Sequence, residues 1–164
     1  MKKDSYGVTL KTVRQYREMF KKIKKRRINI LGEDVLIEHV GGTSLISPTG
    51  KGDIDVYVAY HTHKERVALE RRLQGELGTY AKKTPIRTRF NYFFQGVEVE
   101  IQLSNLESLR QAVALRQYLN THSAEAKKYA STIVKIRKSA LGKMYKVKSA
   151  FSKKALKEME GSVG

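Results

Sequence analysis

The 164-residue sequence contains no cysteine, no tryptophan and only two prolines. Without cysteine there are no disulfide staples, no zinc–thiolate sites and no cysteine nucleophiles. Long hydrophobic runs are missing as well. The longest unbroken aliphatic stretch is Ala112–Leu115, far short of the ~20 residues a membrane-spanning helix needs. The opening MKKDSYGVTLKTVRQ carries two lysines but no apolar stretch of signal-peptide length. A cytoplasmic location without a membrane partner is the resulting expectation. A composition of 40% hydrophobic and 30% charged residues belongs to a folded globular chain rather than a disordered one.

Acidic charge is scarce at both ends. Residues 1–30 hold 11 Lys/Arg against 2 Asp/Glu, and residues 123–164 hold 11 against 3, so these blocks carry +9 and +8 of the total +17. The middle holds 11 of each sign and is neutral. Two basic ends around a neutral middle attract polyanions over a Debye length of ~8 Å at physiological salt. RNA, DNA or nucleotide phosphates are the partners this predicts, and well-solvated lysine-rich helices are the plain alternative.

The periodicities predict an α+β domain with a small mixed sheet and a helical C-terminal part. Val13, Tyr16, Met19, Phe20 and Ile23 recur at steps of three and four, a single apolar stripe on a basic helix over about 9–27. Val35–Val40 reads as a strand running into the Gly41–Gly42 turn. From Asp53 to Ala59 strict alternation sets Asp53, Asp55 and Tyr57 on one face and Ile54, Val56 and Val58 on the other. Thr62 with Glu65 reads as a capping box that opens a helix ended by Gly78. Runs 86–94 and 97–103, split by Gln95–Gly96, predict an antiparallel hairpin. Ser104 with Glu107 reads as a second capping box, followed by helices over roughly 105–119, 123–140 and 143–160, with a frayed tail. Residues 1–104 form the expected core and 105–164 a helical segment packed on it, as one compact unit.

Three pieces carry chemistry. GGTS at 41–44 follows a strand, so its glycines let backbone amides approach a phosphate while Thr43 and Ser44 offer hydroxyls; taken alone, a turn satisfying its own backbone is the more ordinary explanation. DID at 53–55 aims two carboxylates at one side of a strand, ~6–7 Å apart at the backbone, which suits a hard divalent cation. EVE at 98–100 repeats that geometry on a later strand, where a polar outer face is the ordinary reading.

Their order is informative. EHVGGTS at 38–44 followed by KGDIDVYV at 51–58 resembles the GrpB family, whose pattern runs EHIGSTSVPG and then KPIIDI. More broadly it looks like the DNA polymerase beta-type nucleotidyltransferases. The resemblance extends to Tyr16 and Phe20 ahead of KKI, to ALRQYL at 114–119, to Tyr129, and approximately to Tyr145, Lys148 and Phe151. Asp53 stands where the family usually has an apolar residue, and Glu98 and Glu100 where it tends to have histidines, both favouring metal binding. Gly42 replaces a usual serine, which leaves any hydroxyl contact to Thr43 or Ser44.

The resemblance implies two-metal nucleotidyl transfer, with magnesium or manganese held by Asp53, Asp55 and Glu100, Glu98 being the rival third ligand. It implies a nucleoside triphosphate, ATP among the candidates, received by Gly41, Gly42, Thr43, Ser44 and Lys51. RNA or tRNA is the implied acceptor. Arg87 and Arg89 share a strand face and either clamp an anion or pair with Glu98 and Glu100 across the hairpin. His39 is expected to pack or to support the site from behind. A vestigial nucleic-acid-binding module is the competing reading, and a sugar-nucleotide transferase using DxD a third, which leaves the GGTS loop unexplained. The nucleotide preferred, the acceptor and the oligomeric state are not written in the sequence.

Overall fold

Helix α1 spans Val13–Leu31, a turn beyond its expected end. Thr12 and Gln15 form a reciprocal capping box that fixes its start, and Gly32 in the left-handed region closes it. Its buried stripe is Tyr16, Met19, Ile23, Arg27 and Leu31, so the fourth position is a cation rather than an apolar side chain. Arg27 pairs with Glu76 and lies 5.1 Å from the Tyr92 ring centroid. The computed structural model describes residues 9–139 and 142–161, leaving aside the side chains of 137–145. The Tyr145 side chain and the tail past Gly161 lie outside the described residues.

A five-stranded sheet is built from β1 (Ile37–Val40), β2 (Ile54–Tyr60), β3 (Lys82–Lys83), β4 (Arg87–Phe94) and β5 (Val97–Asn105). Its order is β1-β2-β5-β4-β3. Only β2 and β5 run parallel; β1, β4 and β3 join antiparallel. The β4–β5 turn has Gln95 at φ 50° and Gly96 at φ 76°, the double left-handed pattern that suits strand twist. It sets Phe94 opposite Val97 and Arg89 opposite Gln102.

Ile54, Val56, Val58, Phe90, Val99, Ile101 and Leu103 join the α1 stripe and Leu69 and Leu73 of α2 (His63–Leu77) in the main core. The other sheet face is polar. Helix α3 (Leu106–Thr121) packs against β1, β2 and β5 and bundles with α4 (Ser123–Ser139) and α5 (Gly142–Gly161). A second apolar cluster holds these helices together, and Leu45, just past the glycine loop, belongs to it.

Both caps differ from expectation in one respect. The Thr62 side chain accepts from the Glu65 amide, but Glu65 turns to the His61 amide, so the box is half closed. Ser104 does not cap α3. It is fully buried in β5, and Asn105 accepts from the Ser108 amide instead, because parallel pairing with β2 carries β5 two residues further. Short β3 had no sequence signal.

Candidate active site

The open face of the sheet gathers the predicted carboxylates. Asp55 stands opposite Val40 on one side and Glu100 on the other, and Asp53 precedes β2 on the same face. Burial, together with the negative charges of Asp53 and Glu100, pushes the Asp55 carboxyl up to about 7, with Lys148 and Lys51 opposing the shift. The three acids thus share one electrostatic field, which two-residue spacing and the β2–β5 pairing impose.

The glycine loop lies directly against them. Gly41 has φ 74°, and a Cβ there would collide with Oδ2 of Asp55. A Cβ on Gly42 would strike the carbonyl of Thr49. Thr43 and Ser44 are both buried. The Thr43 hydroxyl donates to the Asp53 carbonyl at 2.8 Å, and the Ser44 hydroxyl donates to the Gly41 carbonyl at 2.7 Å. The first bond ties the loop to the start of β2 and the second closes the loop on itself, so backbone amides are its remaining donors toward a ligand. His39 stands behind Thr43, with Nε2 3.0 Å from Oγ1 and its ring stacked on Phe20 at 5.1 Å. Burial first, then the charges of Arg116 and Arg17, lower its pKa to about 4, so it is neutral at pH 7.

Lys51 lies 3.1 Å from the Asp53 carboxylate. Arg89 lies 3.5 Å from Glu100, which also accepts from the Gln102 amide at 2.6 Å. Arg87 does not reach Glu98. It donates to Gln102 at 3.4 Å and covers the Tyr57 ring, because the turn register puts Phe93, not an arginine, opposite Glu98. Glu98 accepts from Asn91. Of the two expected cross-strand pairs, only that of Arg89 with Glu100 forms.

Among the described residues, no group of three or more His, Asp or Glu side chains is already gathered closely enough to hold a metal ion. Asp53 is turned to Lys51, and Glu100 to Arg89 and Gln102. The donor chemistry nevertheless fits a hard divalent cation: three carboxylates lie on one face, and burial together with the neighbouring negative charges of Asp53 and Glu100 raises the Asp55 carboxyl, a balance that a cation would reverse. Sequence reasoning missed Gln102, which follows Glu100 at the same two-residue period. It also gave Lys148 of α5 no role, since only the helical packing carries that charge to Asp55.

Fold and site together define a small α+β protein with a carboxylate centre under a glycine loop. The chain belongs to the GrpB family: a family model described as GrpB protein matches residues 8–158. The crystal structure of conserved protein GrpB from Enterococcus faecalis superposes with a TM-score of 0.68 at 22% identity, covering 88% of this chain and 94% of that one; this likeness shows the fold. Cid1, described for its RNA terminal uridylyl transferase activity, gives a TM-score of 0.46 at 14% identity over 67% of this chain and 37% of that one. Among curated proteins, none matches this chain. No described helix is long and apolar enough to cross a membrane.

Proposed function

We propose that the protein is a metal-dependent nucleotidyltransferase, moving a nucleoside monophosphate from a nucleoside triphosphate to an acceptor hydroxyl, with RNA as the acceptor class. The observation that carries this reading is Asp55, held between Asp53 and Glu100 and pressed against Gly41. Magnesium or manganese, when bound, would offset charge developing on the leaving pyrophosphate and acidify the acceptor hydroxyl.

The chain's own residues do the rest. Asp53, Asp55 and Glu100 would hold the ion, with the Asp55 carboxyl ligating it in its ionised form. Gly41 and Gly42 let the Asp55 carboxylate and the Thr49 carbonyl close on the loop, which would keep its amides beside the carboxylates to meet phosphate oxygens. Lys51, released from Asp53, would meet the triphosphate. Gln102 and Arg89 fix the orientation of Glu100, while Arg87 remains over Tyr57 to contact an anion.

One observation favours a second reading. Lys51 and Arg89 already neutralise two of the three acids, as they would in a vestigial site whose remaining role is to bind nucleic acid. Incubating the protein with each α-labelled nucleoside triphosphate, magnesium and total cellular RNA separates the two. The transferase reading predicts label in RNA with the native chain and none with Asp53→Ala/Asp55→Ala. Equal label with both proteins, or none with any nucleotide, sinks it.

A further inference from the structure

Two clefts run end to end from the carboxylates to helix α1. The first, about 240 Å³, is bounded by Lys11, Tyr16, Lys51, Asp53 and the β5 start at Gly96–Glu98. The second, about 290 Å³, lies between Lys11, Arg14, Glu18 and Lys22 on one side and Gln95 on the other. They share Lys11, and neighbouring residues of the β4–β5 turn close both, so together they form one furrow ending at Asp53.

The furrow's charges are unequally engaged. Its acids have partners: Asp53 has Lys51, Glu18 has Lys21 and Glu98 has Asn91. Its outer cations do not: among the described residues, Lys11, Arg14 and Lys22 enter no ion pair. Arg14 and Lys22 are eight residues apart on α1, a span of ~12 Å at the helical rise, so the cations form a row rather than a point. Phe93 completes the arrangement. It is 76% exposed, opposite Glu98 on the acid-bearing face, and so offers a flat apolar surface beside the furrow.

We propose that the furrow is the track of a single-stranded polynucleotide, its phosphates on Lys11, Arg14 and Lys22, an unpaired base on Phe93, and its terminus at Asp53. A row of cations outside any ion pair among the described residues matches a phosphate backbone. An exposed aromatic matches an unstacked base, which a duplex does not present. The direction of the strand rests on the transferase reading; the track itself does not.

The test is fluorescence anisotropy with labelled decanucleotides, without nucleotide or metal, over a salt series. Probes are single-stranded RNA, single-stranded DNA and duplex. Lys11→Glu/Arg14→Glu/Lys22→Glu should weaken single-strand binding by at least about 30-fold and flatten the log–log salt dependence by ~2, three phosphates at ~0.7 each. Lys127→Glu/Lys128→Glu/Lys153→Glu changes net charge identically on exposed positions of α4 and α5 and should cost less than about 3-fold. Phe93→Ala should weaken single strands by roughly 10-fold and leave duplex unchanged. A preference between RNA and DNA identifies the natural strand, and equal affinity supports the shared phosphate chemistry.

Equal losses in the two triple variants would reduce the effect to bulk charge and overturn the track, as would tighter binding of duplex than single strand. The triple Lys11→Gln/Arg14→Gln/Lys22→Gln, checked for an unchanged melting temperature, repeats the test without reversed charges. Native-level binding by a folded Lys11/Arg14/Lys22 triple, with glutamate or with glutamine, refutes the track whatever the transfer assay gives, while absent transfer with intact furrow binding counts only against the transferase reading.

Discussion

The Asp55 carboxylate lies so close to the Gly41 backbone that no side chain fits between them. A loop and a strand 14 residues apart in sequence are thereby locked into one site. Gly41 meets both demands: it adopts φ 74° and carries no Cβ.

Gly41→Ala should therefore destabilise the fold by about 1–3 kcal/mol and impair transfer more than stability alone accounts for, since Asp55 must move. Denaturant unfolding and label transfer read the two effects. An alanine variant with native activity would show that the contact is dispensable.

Asp55 makes the unliganded protein pH-sensitive. Its pKa is about 7 folded against 3.8 unfolded, so between these values the native state holds a proton that the unfolded chain has lost. Stability contributed by this group is full below about pH 4 and falls as pH rises toward 7. Asp55→Asn should abolish transfer yet raise unliganded stability at pH 8 by on the order of 4 kcal/mol, with the gain vanishing at acid pH. Magnesium should raise the melting temperature of the native protein and not of the variant. A less stable Asp55→Asn at pH 8 would contradict the shared-field account.

His39 acts with the opposite sign. Its folded pKa of about 4 lies below the ordinary 6.5, so between pH 6.5 and 4 the unfolded chain binds a proton that the native state refuses. Stability is full above 6.5 and declines as pH falls, by up to about 3 kcal/mol at pH 4. His39→Gln should remove that slope in unfolding titrations from pH 7.5 to 4.5. An unchanged slope would place the titrating group elsewhere.

Glu100 and Glu98 separate by substitution. Glu100 stands beside Asp55 in the register, whereas Glu98 lies two residues along and is held by Asn91. Glu100→Ala should reduce transfer on the order of 100-fold or more, and Glu98→Ala only a few-fold. Reversal of that ranking in single-turnover rates would make Glu98 the third ligand.

Arg27 and Glu76 anchor α1 to α2. Glu76→Ala leaves a fully buried guanidinium without its carboxylate and should cost about 3–5 kcal/mol. Arg27→Met/Glu76→Leu should recover much of it, because two apolar side chains need no partner. A double variant no more stable than Glu76→Ala would overturn that account.

The residues by themselves encode local features. The alternation in β2 separates Asp55 and Tyr57 from Ile54 and Val56 because side chains switch faces at every residue. Gln95–Gly96 announces the hairpin because both are left-handed, and the starts of α2 and α3 follow nearby capping residues, Thr62 as read and Asn105 one position past Ser104, whereas α1 begins four residues later than its apolar stripe suggested. Arg27 was not legible as a core residue, since its burial depends on Glu76 and Tyr92, which sequence periodicity cannot place beside it.

The sequence by itself determined the glycine loop, the acid-bearing strand faces and the basic ends, because backbone geometry and composition act over a few residues. The tertiary structure decided that β5, not β4, lies beside β2, and so that Glu100 meets Asp55. It also decided that Lys148 arrives from α5, that Thr43 and Ser44 turn their hydroxyls inward, and that Lys11, Arg14 and Lys22 line one furrow with Asp53. These are relations between distant segments, fixed by burial of the apolar sheet face against α1 and α2 and by strand pairing.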